Sequence, residues 1–455
     1  MNSLPAAFSE RMKKQLQDEA DAFFQALQTP SPVSIRINPD KLSTPHTDFL
    51  TAICGEAVPW SQHAWYLNER PVFTLDPCFH GGAYYVQEAS SMFLEHILRQ
   101  ILPQDPVRML DLCAAPGGKT TLAASCLPAG SLLVANEVIR SRAAILKENV
   151  IRWGQDNLVV SSNDPGDFGK LKSAFDVILT DAPCSGEGMF RKDEGAIAEW
   201  NENNLLICRD RQKRILSDIM ETLKPGGYLI YSTCTYNRGE NEEIAEWLVK
   251  QFPLQSIPVT HAFPGIVPAD SATYGYHFYP HKIKGEGFFI SVFRKTDGET
   301  PSPVRNKKTN NSKPVRLPEE VQLLLSSPAD FTIQEKEHIL NIIPAKQEEF
   351  ITLLENNLRI LYKGCEIAEC NQRKLKLLHP FALYKGLDKT RCNCRETSAE
   401  EALRYLKKED ISTNAPNGEW VLISHQSIGL GWGKSVGNRL NNYFPKEWRI
   451  RMDIK

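Results

Sequence analysis

Between Val107 and about Arg294, short apolar runs alternate with helix-length amphipathic stretches, and that alternation leaves few architectures open. A chain that makes an apolar strand, crosses over through a helix and returns builds a parallel sheet with helices on both faces. The strands read as VRMLDLC (107–113), SLLVANE (131–137), LVVSSND (158–164), FDVILTDAP (175–183) and YLIYSTC (228–234), each ending in small or polar residues. Open α/β sheets bind ligands beyond those carboxyl ends, so function is sought there. Lys224-Pro-Gly-Gly227 reads as the break between a helix and the fifth strand, and YHFYP with GFFISVFRK as a closing hairpin.

The chain has 455 residues, too many for one core, and the sheet occupies only its middle, residues 100–295. Ahead of it, Pro5–Leu27 carries Phe8, Met12, Leu16, Phe23 and Leu27 at helical spacing, which predicts a docked amphipathic helix. In SPVSIRINPDK, Val33, Ile35 and Ile37 alternate as in a strand, with Arg36 on the other face. Residues 1–99 therefore form a small appendage. Thr296–Arg316, rich in Pro, Ser, Thr, Asn and Lys, is predicted to be a linker. Beyond it, Leu317 to about Asn357 reads as helical and Leu358–Lys455 as mixed, with strands at LRILYKG and EWVLIS. The sheet is expected to fold separately from this last region.

Hydrophobic residues make up 42% and charged residues 24%, as in water-soluble globular chains. No apolar run is long enough for a spanning helix and the N-terminus lacks a signal peptide's apolar stretch, so a cytoplasmic protein with no membrane role is expected. Eleven sparse, irregularly spaced cysteines argue for reduced thiols. The net charge is −2, but from Leu361 to Lys455 there are 17 Lys and Arg against 11 Asp and Glu, a local +6. A second excess, +5, lies between Arg294 and Arg316. Both are open to nucleic acid or to solvent alone.

Three constellations sit at the predicted strand ends. Asp111-Leu-Cys-Ala-Ala-Pro-Gly-Gly-Lys-Thr120 runs from a strand through a glycine turn into a helix, where the backbone can approach a nucleotide-like ligand. It has neither Walker nor GxGxxG spacing. Glu137, at the end of the second strand, is placed for ribose hydroxyls. Thr180-Asp-Ala-Pro-Cys-Ser-Gly-Glu-Gly-Met189 leaves Asp181 and Cys184 at the sheet edge, and Ser232-Thr-Cys-Thr-Tyr236, followed by NRGENE, does the same for Cys234. If those two strands are neighbours, both thiols converge on one cleft. A reducing compartment disfavours a disulfide, and two thiols without a nearby His make a poor metal site. A covalent mechanism, one thiolate attacking and the other assisting, accounts for them better.

DLCAAPGGKTT, the NE pair, TDAPCSGEGMFRKD and YSTCTYNRGENE resemble, in order, the motifs of the Nop/Sun family of S-adenosylmethionine-dependent RNA cytosine-5 methyltransferases. SIRINPDK, GGAYYVQEASSM and YPHKIKGEGFF are similar to its flanking motifs, and LGWGKSVGNRLNNYFPKEWR to the C-terminal end of its bacterial ribosomal RNA members. The resemblance implies an α/β fold: a class I (Rossmann-like) methyltransferase sheet with an N-terminal appendage that packs on it or binds RNA, and an RNA-docking α+β region at 317–455, PUA-like at its end. It implies methylation of cytosine C5 in RNA, 16S ribosomal RNA foremost, by a monomer acting on RNA or the small subunit. Cys234 matches the nucleophile that adds to C6, and Cys184 the cysteine that assists release. Asp181 matches the carboxylate that hydrogen-bonds the cytosine, with Lys119 its neighbour. Cys113, Ala114, Ala115, Pro116, Gly117, Gly118, Lys119, Glu137, Asp164 and Asp181 bound the cofactor pocket by the same carry-over, with Arg142 either a further contact or a solvated helix residue.

Transfer RNA as substrate, an RNA-binding assembly factor with a vestigial site, and a dinucleotide-dependent oxidoreductase are the competing readings. Intact Cys184, Cys234, Asp181 and Lys119 speak against the second, and the absence of GxGxxG against the third. No metal is expected, because Cys365, Cys370, Cys392 and Cys394 lack zinc-ribbon spacing. His277, Tyr279 and His281, and Trp420, Trp432 and Trp448, are of types that contact RNA, yet packing is their commoner role.

Overall fold

The computed structural model describes residues 4–45, 47–297, 315–371 and 374–452. The segment expected to be a linker, with most of its basic excess, lies almost wholly outside them. The five expected parallel strands are present as β1 (Arg108–Asp111), β2 (Leu132–Asn136), β3 (Leu158–Ser161), β4 (Phe175–Asp181) and β5 (Leu223–Thr233). They are extended by β6 (Leu254–Ser256), β7 (Ile266–Pro268), β8 (Tyr276–Phe278), β9 (Phe288–Lys295) and β10 (Ile360–Lys363). The sheet order is β7-β8-β9-β5-β4-β1-β2-β3-β10, with β6 beside β9. Pairing is parallel from β3 to β5, and β8 and β9 form the expected antiparallel closing pair. Lys224–Gly227 does not precede the fifth strand but belongs to it, the register slipping between Phe175 and Val177 of its neighbour β4.

Both sheet faces are covered. Ile97, Leu98, Leu122, Leu146 and Val150 from three helices bury one face. On the other, Ile215, Leu216, Ile219, Ile244 and Leu248 are joined by Phe350, Ile351, Leu354 and Leu358, which come from beyond residue 316. The link from β3 to β4 holds only the six-residue turn Pro165–Lys170, too short to cover its share of the face, and helix Glu348–Asn357 covers it instead. β10 pairs antiparallel with β3, Tyr362 opposite Val160 and Lys363 opposite Val159. The sheet is therefore not separate from the chain beyond residue 316, which corrects the sequence expectation.

Residues 317–357 are also not uniformly helical. A short helix, Glu319–Gln322, is followed by a hairpin of Phe331–Lys336 and Ile339–Pro344 before helix Glu348–Asn357 begins. β-branched residues pair across that hairpin, Ile333 with Ile342 and Thr332 with Ile343, and its two-residue turn, Glu337 and His338, sits at φ 50° and 68°. Both turn residues at positive φ give the backbone twist that matches the strands.

At the N-terminus the expected single helix is two, Ala6–Leu16 and Ala20–Leu27, broken at Gln17 with φ 49°. Val33–Ile37 is the expected strand, central in a four-stranded antiparallel sheet with Ala64–Leu67 and Tyr84–Val86 on either side. The C-terminal end is a five-stranded sheet around Trp420–His425 and Ile428–Val436. No helix among the described residues is long and apolar enough to cross a membrane.

Candidate active site

The carboxyl ends of β1, β4 and β5 meet over the sheet because these strands are adjacent, Asp181 lying opposite Ser232. The residues just beyond emerge side by side, and Cys184 Sγ stands 3.3 Å from Cys234 Sγ. Both are free thiols, partly exposed. The two share a hydrogen bond that divides their acidities. The bond from Cys184 lowers Cys234 against the opposing effect of burial, and the positive charges of Lys119 and Lys192 add to the lowering. Cys184 is pushed well above the ordinary thiol by the same hydrogen bond and by burial. Cys234 is thus the more acidic thiol of the pair and Cys184 the less acidic.

Beside them Lys119 Nζ lies 2.8 Å from Asp181 Oδ2, while Ser232 Oγ donates to Oδ1 at 2.7 Å. Burial works against charge on Lys119, but attraction and hydrogen bonding to Asp181 outweigh it and raise its affinity for a proton. The ammonium also rests 5.0 Å from the Phe288 ring centroid. Both oxygens of the Asp181 carboxylate are thus held, and its side chain remains a third exposed.

The glycine loop is braced at several of its carbonyls and amides. Ala114 N–H donates to the Asn136 carbonyl, Arg142 Nη2 to the Ala115 carbonyl at 2.8 Å, and Asn149 Nδ2 to the Pro116 carbonyl at 2.8 Å. Gly117, at φ 113°, turns the chain into helix Gly118–Cys126 in a conformation side chains resist. Glu137 is buried, its carboxylate accepting from Ile139 N–H and pairing with Arg142 at 3.3 Å, while Val138 and Ile139 beside it stay 54% and 48% exposed. Arg142 therefore braces the loop and Glu137 together. Asp111 lies fully buried beneath the loop, where burial raises its carboxyl to about 7; Thr120 Oγ1 donates to Oδ2, and Oδ1 has no protein partner. Burial also holds Cys113 as a neutral thiol. The Asp164 carboxylate caps the turn after it and pairs with Arg214 at 3.1 Å.

Several positioning groups carried no signal that the sequence reading used. Glu240 is buried and accepts from Ser185 N–H at 2.9 Å, Ser185 Oγ at 2.6 Å and Gln212 Nε2 at 3.1 Å, so it ties the Cys184 loop to the segment after Cys234. Burial raises it to about 7. Glu187, also buried, pairs with Arg11 at 2.5 Å and accepts from Trp200 Nε1 and Tyr236 N–H, anchoring the N-terminal helix on both motif loops. Asn136 and Asn163 bond each other across β2 and β3, and Asn163 in turn exchanges hydrogen bonds with the Arg359 backbone. Arg36 is buried, donating to Gln87 and Thr121 and stacking 4.4 Å from the Trp153 ring. The acidic pair in NRGENE and the lone Arg of SIRIN were the available hints.

The aromatic candidates are packing. His277 pairs with Glu242 and stacks on Tyr279, and Tyr279 stacks on Tyr236. Trp432 lies in the core, Trp420 rests on Tyr443, and Trp448 packs edge-on against His379. Cys365 is buried, and among the described residues no group of three or more His, Cys, Asp or Glu is placed to hold a metal ion.

Comparison with known proteins gives the family. Residues 99–294 match the family model described as 16S rRNA methyltransferase RsmB/F. Residues 4–89 match the N-terminal domain of 16S rRNA methyltransferase RsmF, and residues 392–450 the methyltransferase RsmF PUA domain. A ribosomal RNA small subunit methyltransferase F from Citrobacter koseri is 32% identical over 97% of this chain and 96% of its own. The protein of the same name from an Escherichia coli strain is 31% identical over 97% and 96%. A solved methyltransferase homolog from Pyrococcus horikoshii superposes with TM-score 0.54 at 28% identity, over 64% of this chain and 94% of that one. NSun6 from Pyrococcus horikoshii, solved with SFG, shares the fold at TM-score 0.56 and 20% identity, over 65% and 99%. Two thiols in contact over a methyltransferase-type sheet, and likeness to curated relatives along almost the whole length, place this chain in the RsmB/F family of 16S rRNA methyltransferases.

Proposed function

We propose that this RNA methyltransferase methylates cytosine C5 in small-subunit ribosomal RNA, in the bacterial cytoplasm, through a covalent adduct between Cys234 and C6 of the base. The observation that carries the reading is the contact of Cys184 with Cys234 beside the Lys119–Asp181 pair. C5 of cytosine is a weak nucleophile, and bond formation from the Cys234 thiolate to C6 turns C5 into an enamine carbon. Asp181, with both oxygens already oriented, hydrogen-bonds the ring, and Lys119 lies alongside to offset the electron density that moves into it. Loss of the C5 proton to solvent returns its electron pair to the C5–C6 bond and expels Cys234 from C6 as a thiolate, which the neighbouring Cys184 thiol assists with a hydrogen bond.

The upper rim of the cleft fits S-adenosylmethionine. Glu137 presents a fixed carboxylate for ribose hydroxyls, exposed Val138 and Ile139 offer an apolar wall for the adenine, and Asp111 Oδ1 is a buried acceptor without a protein partner below the glycine loop. The cofactor supplies the electrophilic methyl group that C5 takes.

The test uses the two cysteines. Cys234→Ala should abolish methyl transfer while binding S-adenosylhomocysteine normally. Cys184→Ala should accumulate a protein–RNA band that survives a denaturing gel. Native turnover by Cys234→Ala, or no such band from Cys184→Ala where the native enzyme turns over, would overturn the mechanism. Bisulfite sequencing of ribosomal and transfer RNA from cells lacking the protein names the target cytosine and separates the two substrate classes.

A further inference from the structure

Behind the Cys234 loop lies a cavity of about 740 Å³ that the chemistry at the two cysteines does not use. Its walls are the N-terminal helix Ala6–Leu16, the start of helix Glu202–Ile219, and the turn Asn237–Gly239. Its volume falls within the roughly 300–1,000 Å³ of small-ligand sites. Asn237 is the third residue after Cys234, so its backbone is at most about 11 Å from the nucleophile's. The wall is also tied to the catalytic loop: Gln15 Nε2 donates to the Tyr236 carbonyl, and Asn237 Oδ1 accepts from Gly239 N–H.

The lining has two characters. Leu205 and Leu206 give an apolar floor, and Leu206 with its neighbour Ile207 is about half exposed, 50% and 51%. Around the floor stand Arg11, Lys14, Arg209 and Arg238, against the carboxylates Glu202 and Glu243. Arg238 lies 3.6 Å from the buried Glu242 and donates to the Asp270 carbonyl, while Lys14 and Arg209 are matched to carboxylates on the open surface, Glu10 at 2.9 Å and Asp210 at 3.2 Å. Such pairs hold little free energy and exchange readily for phosphate, whose charge-assisted bonds to arginine are stronger.

We propose that this cavity is a subsite for a nucleotide of the substrate RNA that flanks the target cytosine, its base on Leu205 and Leu206 and its phosphate between Arg209 and Arg238. A cytosine presented to Cys234 must leave its stack, and that strips one face from the neighbouring base. An apolar floor ringed by cations, within reach of the nucleophile, supplies what the neighbour has lost, and a stacked base with a neutralised phosphate holds the RNA in register. The cavity thereby contributes to the choice of sequence context. The subsite rests on the proposed RNA methylation.

The test is steady-state methylation of a 16S rRNA transcript by the full chain, with Leu206→Asp and Arg209→Ala compared with Lys250→Ala, an exposed residue outside the cavity. The two cavity variants should raise KM about tenfold with kcat and S-adenosylhomocysteine affinity unchanged, and Lys250→Ala should leave all three alone. Arg209→Ala should also reduce the salt slope of RNA binding by about 0.7, the loss of one single-strand phosphate contact. Native KM and salt slope in both variants would overturn the subsite. So would a fall in kcat or in cofactor affinity at unchanged KM, which would make the cavity wall a support for the catalytic loop. If the native chain fails to methylate any RNA, the functional reading fails and the subsite with it; if it methylates and the variants match it, only the subsite fails.

Discussion

Removing everything after residue 316 should unfold the methyltransferase sheet. Helix Glu348–Asn357 covers the part of the sheet face that the β3–β4 connection leaves bare. Phe350 sets its ring edge against Phe175 with centroids 5.7 Å apart and lies 4.0 Å from the Arg108 guanidinium. With Ile343, Ile351, Leu354 and Leu358, all under a tenth exposed, it makes five apolar side chains on this face that leave with the truncation. At roughly 1.5–3 kcal/mol for each buried side chain, exposing the matching face costs on the order of 10 kcal/mol. That equals the whole stability of an ordinary domain, about 5–15 kcal/mol. β3 also becomes a bare edge, and Asn163, which supports Asn136 and through it the glycine loop, loses its bonds to the Arg359 backbone. The assay compares residues 1–316, residues 1–386 and the full chain by circular-dichroism melting, limited proteolysis and calorimetric titration with S-adenosylhomocysteine. The 1–386 chain keeps β10 and the helix, and should melt below the full chain yet bind the cofactor analogue; the 1–316 chain should show no cooperative melt and no binding. A cooperative melt of 1–316 near that of the full chain, with native affinity, would refute the argument.

Three shorter predictions concern the site. Because Cys234 must be deprotonated to attack and the hydrogen bond from Cys184 lowers its pKa, the single-turnover rate should rise with pH and level off below the ordinary thiol value of about 8.5; in Cys184→Ala the rate of adduct formation should level off at higher pH, and an unmoved limb counts against the pairing. Gly188→Ala places a Cβ 2.4 Å from the Gly287 carbonyl oxygen and 2.8 Å from that of Cys234, so the loop must shift, at about 1–3 kcal/mol in stability and up to about 10²-fold in kcat, read from urea denaturation and initial rates. Arg11→Ala leaves the buried Glu187 without its cation and should cost about 1.5–3 kcal/mol, with a lower Tm than Lys13→Ala, a change at an exposed position on the same helix.

The five parallel strands of the central sheet were legible because each carries a short, mostly apolar run bounded by turn residues, as strands buried on both faces do. The region after the linker was not, and the reason is specific. FTIQEKEHILNIIP has an apolar spacing compatible with either period, and only its turn, with Glu337 and His338 both at positive φ, separates hairpin from helix. Neither residue is the glycine or asparagine that usually marks such a turn. β10 is harder still. Its partner β3 lies about two hundred positions earlier, and nothing local in LRILYKG says which sheet edge it will join.

At the site, the groups that make or break bonds could be read from the chain because the chemistry admits few residue types: a thiolate to attack, a second thiol, a carboxylate and an ammonium at the base. The groups that place them could not, because their partners are backbone amides and carbonyls that every sequence supplies. Glu240 holds Ser185 through a main-chain N–H as well as its hydroxyl, and Asn163 meets only the backbone of Arg359. Glu187 draws on the Tyr236 amide and on an arginine 176 positions away. These contacts exist only once the strand order has brought β4 beside β5, so the positioning of Cys184 against Cys234 is a property of the sheet's topology. A chain carrying both motifs on strands that were not neighbours would have two inert thiols, one on each side of an intervening strand.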